Sequence, residues 1–159
     1  MDEVSFETVD PRDPDAHVAR RRYLSEVSVY LVHGTVSSDA VDDVDDFIEP
    51  RGGFVLGRRG GVVVGCGGVR PLDAEVGEIK RMWIEAGSRG RGLGARLLRS
   101  LEDLARDRQY ERIRLDTNRA LVQAIHLYET HGYRQISRYN DNPDATHFYE
   151  KWLTDAPPD

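Results

Sequence analysis

Residues Gly77–Leu98 read GEIKRMWIEAGSRGRGLGARLL. The first half is strand-like. The second half passes through three glycines and then places Leu93, Leu97 and Leu98 at helical spacing, a stripe that continues through Leu101, Leu104 and Ala105. A strand that turns through glycine into a helix leaves the first helical amides unpaired. Those donors, with the positive end of the helix dipole, attract an anion and phosphate above all. Glycine lets phosphate oxygens reach the backbone with no Cβ in the way, and Arg89 and Arg91 add charge-assisted contacts. The first expectation is therefore a phosphorylated ligand held by Arg89, Gly90, Arg91, Gly92, Leu93, Gly94 and Ala95.

Upstream of this stretch, Val4–Val9 predicts a first strand. Asp13 and Pro14 mark a helix start as cap and first-turn residue, and Tyr23, Leu24, Val27, Tyr30 and Leu31 recur at helical spacing. Val41, Val44, Phe47 and Ile48 predict a shorter amphipathic helix. GGFVLGRRGGVVVGCGGV predicts two strands joined near Arg59-Gly60-Gly61. A further strand is expected over Val76–Glu85. Its alternation is poor around Arg81, Met82, Trp83 and Ile84, as a bulge would make it. Downstream come a strand RIRLDT, a helix from about Arg119 to Thr130, a short strand YRQIS and a final strand near HFYEKWL. Strand and helix alternate through the middle and hairpins stand at both ends. The expected fold is mixed α/β, with a central, partly parallel sheet flanked by helices.

The chain has 159 residues, 39% of them apolar and 31% charged, which suits a single soluble domain spanning 1–159. No apolar run reaches the length of a membrane helix. The acidic N-terminus has no apolar signal core, so no secretory leader is expected. Cys66 is the only cysteine and reads as a small buried strand residue; no internal disulfide can form, and a cytoplasmic location is the default. The net charge of −6 speaks against nucleic-acid and anionic-membrane partners. The charge is uneven. Asp39–Glu49 holds six acids and no base, while Arg89–Arg114 holds eight arginines against four acids. Only Lys80 and Lys151 among the 22 basic residues are lysine, so no arginine marks a site by its identity alone. The five histidines show no zinc spacing, and no metal is expected.

Gly90–Ala95, GRGLGA, fits the dinucleotide pattern G-x-G-x-x-G/A, with Asp116 near the distance expected of a ribose-binding acid. A dinucleotide fold opens with this turn, however, and here the turn lies past the middle of the chain. No G-K-[ST] follows, so a nucleoside triphosphate loop is unsupported. Arg89, Gly92 and Gly94 also fit [Q/R]-x-x-G-x-[G/A], and here the sequence resembles the GNAT family of acyl-CoA-dependent N-acetyltransferases. GEIKRMWIEAGSRGRGLGARLL is similar to the family's central strand, loop and helix. QAIHLYETHGYRQI is similar to its later helix and strand, with Ala124, Tyr128, Gly132 and Tyr133 in the usual places. The order of elements agrees from about Val4 to Leu153.

The resemblance implies acetyl-CoA as cosubstrate, with its pyrophosphate on the glycine turn and its pantetheine arm against the backbone of Met82, Trp83 and Ile84. It implies Tyr128 as the acid that protonates the departing thiolate. It suggests Glu78 as general base, directly or through water; the plainer reading of Glu78 is a solvated strand glutamate, or a partner for Lys80 or Arg81. His126, His131 and His147 are other candidates. The family's usual cofactor-contacting asparagine is replaced by Leu121, and Asn118, one turn earlier, looks like a helix cap. The acceptor is expected to be a primary amine on a small molecule or peptide, enclosed by the N-terminal helices and the late loop Tyr139–His147. Tyr23, Tyr30, the acids of Asp39–Glu49 and Asp141 are candidate walls, and a homodimer is left open. A non-catalytic acyl-CoA-binding module is the alternative reading.

Overall fold

The computed structural model describes residues 3–28 and 44–154. Seven strands form one sheet: β1 (Val4–Val9), β2 (Gly53–Arg59), β3 (Val62–Pro71), β4 (Val76–Ile84), β5 (Arg112–Thr117), β6 (Arg134–Ile136) and β7 (His147–Trp152). Their order is β1-β2-β3-β4-β5-β7-β6. All neighbours are antiparallel except β4 and β5. That parallel pair needs a crossover, which α2 (Leu93–Asp107) supplies. The other α-helices among the described residues are α1 (Pro14–Val27) and α3 (Val122–Thr130). Among the described residues no helix is long and apolar enough to cross a membrane.

Each face of the sheet has its own apolar cluster. On one side the α2 stripe packs on Val55, Val69, Ile79, Ile113 and Leu115. Gly67 makes that approach possible, since a Cβ there would stand 2.7 Å from Leu101 Cδ1. Leu101 is fully buried. Leu101→Ala is expected to cost about 2–5 kcal/mol, read as a lower denaturant midpoint at unchanged slope. On the other side Ala16 and Ala19 of α1 meet Phe47, Phe54, Leu56, Cys66 and Trp83. Asp13 caps α1 by accepting from Asp15 N at 2.8 Å, with Pro14 opening the helix.

The irregularity expected in β4 is a bulge. Cys66 pairs with Trp83, but Gly68 pairs with Lys80, so β4 carries one extra residue. Arg81 absorbs it at φ 59, a left-handed conformation uncommon outside glycine. One extra residue exchanges the faces of everything beyond it. Met82 and Ile84 thereby join the α2 cluster, and Trp83 joins the α1 cluster. Two expectations change. The segment around Phe47 is a single 3-10 turn, Val44–Phe47, rather than an α-helix; Val41 and Tyr30 lie outside the described residues. The helix expected from about Arg119 begins at Val122, because Asn118 Oδ1 accepts from Ala120 N at 2.9 Å and closes a separate turn first.

Candidate active site

The β4–β5 ladder has three rungs, ending at Glu78 and Arg114. Past that point a cavity of about 660 Å³ is lined by Ile79 to Ile84 of β4, by Leu115 to Thr117 of β5 and by one face of α3. One end reaches the start of α2, and α1 and the late loop complete the wall.

At the α2 end, Gly90 and Gly92 have φ 83 and 75. Among the described residues a Cβ on either would meet nothing within 4 Å, so these glycines serve a left-handed turn rather than a close approach. Gly92 caps the helix without a side-chain bond, and the first turn holds no acid. The first bond back to the turn runs from Arg96 N to Gly92 O, 3.2 Å. The amides of Leu93, Gly94 and Ala95 therefore precede any intrahelical acceptor, and all three residues line the cavity. Arg89 lines it as well. Its Nε donates to Ile84 O at 2.9 Å and its guanidinium pairs with Glu26. Arg91 is exposed and does not line the cavity.

Along β4, Met82, Trp83 and Ile84 all line the cavity. Trp83 Nε1 donates to Glu26, and Arg22 lies 4.4 Å over the indole. Glu26 thus ties α1 to both β4 and the glycine turn, a role for which its sequence context gives no sign.

Tyr128 reaches the cavity from α3 with 7% exposure. Its ring packs on Tyr133 and Tyr149, at 5.7 and 6.0 Å between centroids. Its hydroxyl donates to Met82 Sδ, 3.8 Å away. Burial first, then the negative potential of Tyr23 and Asp116, pushes the phenol above its usual pKa. It keeps its proton at neutral and mildly alkaline pH, as a general acid must.

Glu78 has no face on the cavity and is fully buried. Oε1 accepts from Arg70 Nε at 2.8 Å, and Oε2 accepts from the Tyr139 hydroxyl at 2.5 Å. Lys80 stands 3.8 Å from the same carboxylate. Lys80 and Asp116 do line the cavity, joined at 3.1 Å just beyond the last rung of the ladder. Sequence reading treats Lys80 only as a partner of Glu78 and Asp116 only as a ribose acid. Each lies two residues beyond a laddered residue, Glu78 or Arg114, and so on the same face of its strand. That register is set by the pairing of β4 with β5 and leaves no signal in the sequence.

Of the other candidates, Tyr23 lines the cavity, as do Asn142, Asp144 and Ala145 of the late loop. Asp141 is exposed and does not. Asp46 pairs with Arg70 and Glu49 with Arg108; residues 29–43 lie outside the described part. None of His126, His131 and His147 reaches the cavity. Leu121 and Asn118 both do, but Asn118 is committed to the turn and, through Nδ2, to Asp144 O at 2.7 Å. Cys66 is buried and donates to Arg81 O at 3.2 Å.

The model of the acetyltransferase (GNAT) family matches residues 21–133. The IAA acetyltransferase of Azospirillum brasilense is 31% identical over 131 residues, 76% of this chain and 85% of that protein. An uncharacterised N-acetyltransferase of Schizosaccharomyces pombe is 27% identical, over 84% of this chain and 83% of its own. Among solved structures, a GNAT acetyltransferase from Staphylococcus aureus superposes with a TM-score of 0.81 at 18% identity, covering 96% of this chain and all of its own. The protein yncA of Salmonella typhimurium, solved with its cofactor acetyl-CoA, gives 0.71 at 17% identity, covering 99% and 98%. At such identities the likeness is one of fold.

Proposed function

The chain belongs to the acetyltransferase (GNAT) family, and on that premise we propose that it transfers an acetyl group from acetyl-CoA directly to a primary amine of a small molecule or peptide, as one domain spanning 1–159. The observation that carries this reading is the continuity of one cavity. Unpaired helix amides stand at one end of it, and a protonated phenol lies against a sulfur along its wall.

The unneutralised start of α2 suits the pyrophosphate of coenzyme A, and the backbone of Met82, Trp83 and Ile84 suits the pantetheine arm. When bound, acetyl-CoA supplies an activated acetyl thioester. Tyr128 is the proposed acid for the leaving thiolate. Its hydroxyl rests on the thioether of Met82, a weak acceptor that a thiolate would readily replace. Glu78 is the proposed base. Having no cavity face, it is proposed to reach an acceptor through water, past Lys80, whose ammonium lies 3.8 Å from Glu78 and 3.1 Å from Asp116.

The test is free-thiol release from acetyl-CoA in the presence of a panel of primary amines, with coenzyme A binding followed by calorimetry. Amine-dependent release is expected. Coenzyme A binding with no release on any amine would overturn the transferase and leave a non-catalytic acyl-CoA module.

A further inference from the structure

On the face of the sheet opposite α2, five charged side chains form an alternating chain. Asp46 pairs with Arg70 at 3.1 Å, Arg70 with Glu78 at 2.8 Å, Glu78 with Lys80 at 3.8 Å and Lys80 with Asp116 at 3.1 Å. It begins and ends on an acid. Asp46 keeps 44% of its side chain exposed and faces water. Asp116, with 7%, ends the chain inside the cavity. The neighbouring Arg114 is engaged by Glu150 at 2.9 Å, and Arg81 lies 5.7 Å over the Tyr23 ring. Within these five side chains three acids face two bases, and although Arg112 and Arg114 beside them share the single carboxylate of Glu150, Lys80 is the cation that stands within ion-pair distance of Asp116. A buried carboxylate calls for a cation or several donors.

We propose that Asp116 is the carboxylate that receives a second, non-reacting ammonium of the acceptor, and that Lys80 holds that place until the acceptor binds; the reacting amine attacks as the neutral base. The inference rests on the transferase reading above. Lys80 Nζ is 3.1 Å from each Asp116 oxygen and only 3.8 Å from Glu78. A small swing hands Lys80 to Glu78 and frees one side of Asp116, so that three cations then face three carboxylates. The carboxylate itself stays in place. Asn140 Nδ2 donates to Oδ2 at 2.6 Å, and Asn142 Nδ2 lies 3.5 Å from the same oxygen. Burial alone would raise the Asp116 carboxyl, yet Lys80, Asn140 and Asn142 together hold it below the ordinary carboxylate range. It is therefore charged whenever an amine arrives. Both asparagines belong to the late loop, which Asn118 and Thr146 fasten to the end of β5. That loop thus acts on specificity by fixing a charge as well as by forming a wall.

An ordinary structural ion pair and a placeholder pair predict different kinetics. Asp116→Asn and Lys80→Gln are to be assayed by thiol release from acetyl-CoA with putrescine and lysine as acceptors, while tyramine and glucosamine, which carry no second ammonium, serve as controls whose KM should not move. Calorimetry of coenzyme A binding serves as the check on folding. Asp116→Asn is expected to raise the KM for putrescine and lysine by about 10- to 100-fold, the worth of a hydrogen bond to a buried charge, with coenzyme A affinity unchanged. Lys80→Gln is expected to leave the amine KM unchanged or lower it, because the site loses its competitor. If Lys80→Gln instead raises that KM as Asp116→Asn does, the pair is only structural and the proposal is wrong. A KM for putrescine and lysine in Asp116→Asn within threefold of the parent overturns it too while leaving the transferase intact. Should the parent protein acetylate none of the amines, the transferase reading fails first and this inference falls with it. Where Asp116→Asn does not fold, the direction of the Lys80→Gln effect decides alone.

Discussion

Tyr128→Phe is expected to lower kcat for acetyl transfer by about 10²- to 10⁴-fold, the range that general acid catalysis contributes. The substitution removes one oxygen. The rings of Tyr133 and Tyr149 still pack on the phenylalanine, and among the described residues the interaction removed is the hydroxyl's with Met82 Sδ at 3.8 Å. A thioether is a weak acceptor, so stability should change by less than about 1 kcal/mol. Coenzyme A should bind as before, because the α2 amides and the β4 backbone are untouched. The fall should appear equally in kcat and kcat/KM, as for an interaction made only in the transition state. It should shrink with an acyl donor whose thiol leaves more easily. The phenol's raised pKa adds a second signature. In the parent protein, rate should not fall as pH passes through the usual tyrosine value near 10 on account of this group. Measured kcat, coenzyme A affinity and unfolding midpoint together decide the matter. An unchanged kcat would remove Tyr128 from the chemistry and leave it a core residue.

The parts of this protein that follow local rules were legible in the sequence. β1 and the start of α1 depend on alternation, a cap and a proline, and they fall where expected. The α2 stripe needs only a 3.6-residue period, and all of Leu93, Leu97, Leu98, Leu101, Leu104 and Ala105 are buried. The bulge in β4 was visible as broken alternation, but its consequence was not. Which face Trp83 takes depends on the extra residue at Arg81 and on the register with β3.

The site divides in the same way. The glycine turn is a contiguous signal, and Tyr128 is placed by resemblance to the family. Glu26, Lys80 and Asp116 are held by partners 36 to 63 residues away, and no local pattern encodes such pairs. Glu78 reads as a solvated strand glutamate because its neighbours in sequence, Gly77 and Ile79, do not show what covers it. Its burial comes from Arg70 and Tyr139, which arrive from another strand and from the late loop. The early start expected for α3 has a local cause. Asn118 reads as a helix cap in the sequence, and its side chain instead closes a turn three residues ahead of the helix.

Gly92→Val should abolish measurable coenzyme A binding at concentrations that saturate the parent, a weakening of at least about 10²-fold, and activity with it. Two effects act together. At φ 75 a β-branched residue is a strong outlier, with a strain of order 1–3 kcal/mol. Relief of that strain rotates the backbone and turns the amides of Leu93, Gly94 and Ala95 away from the cavity. In addition, the new side chain projects into space where no atom of the described residues lies within 4 Å, so none of them resists it and a phosphate would meet it. A hydrogen bond from a backbone amide to a charged phosphate oxygen is worth about 1.5–3 kcal/mol, so breaking even two such bonds accounts for the stated factor. Gly92→Asn separates the two effects, since asparagine tolerates the left-handed region. That variant should unfold at nearly the parent temperature and still bind coenzyme A poorly, because only the obstruction remains. If Gly92→Asn binds normally while Gly92→Val does not, backbone strain alone is responsible. If Gly92→Val itself keeps the parent's affinity in calorimetry, the pyrophosphate does not sit on this turn, and the start of α2 is not where the cofactor is held.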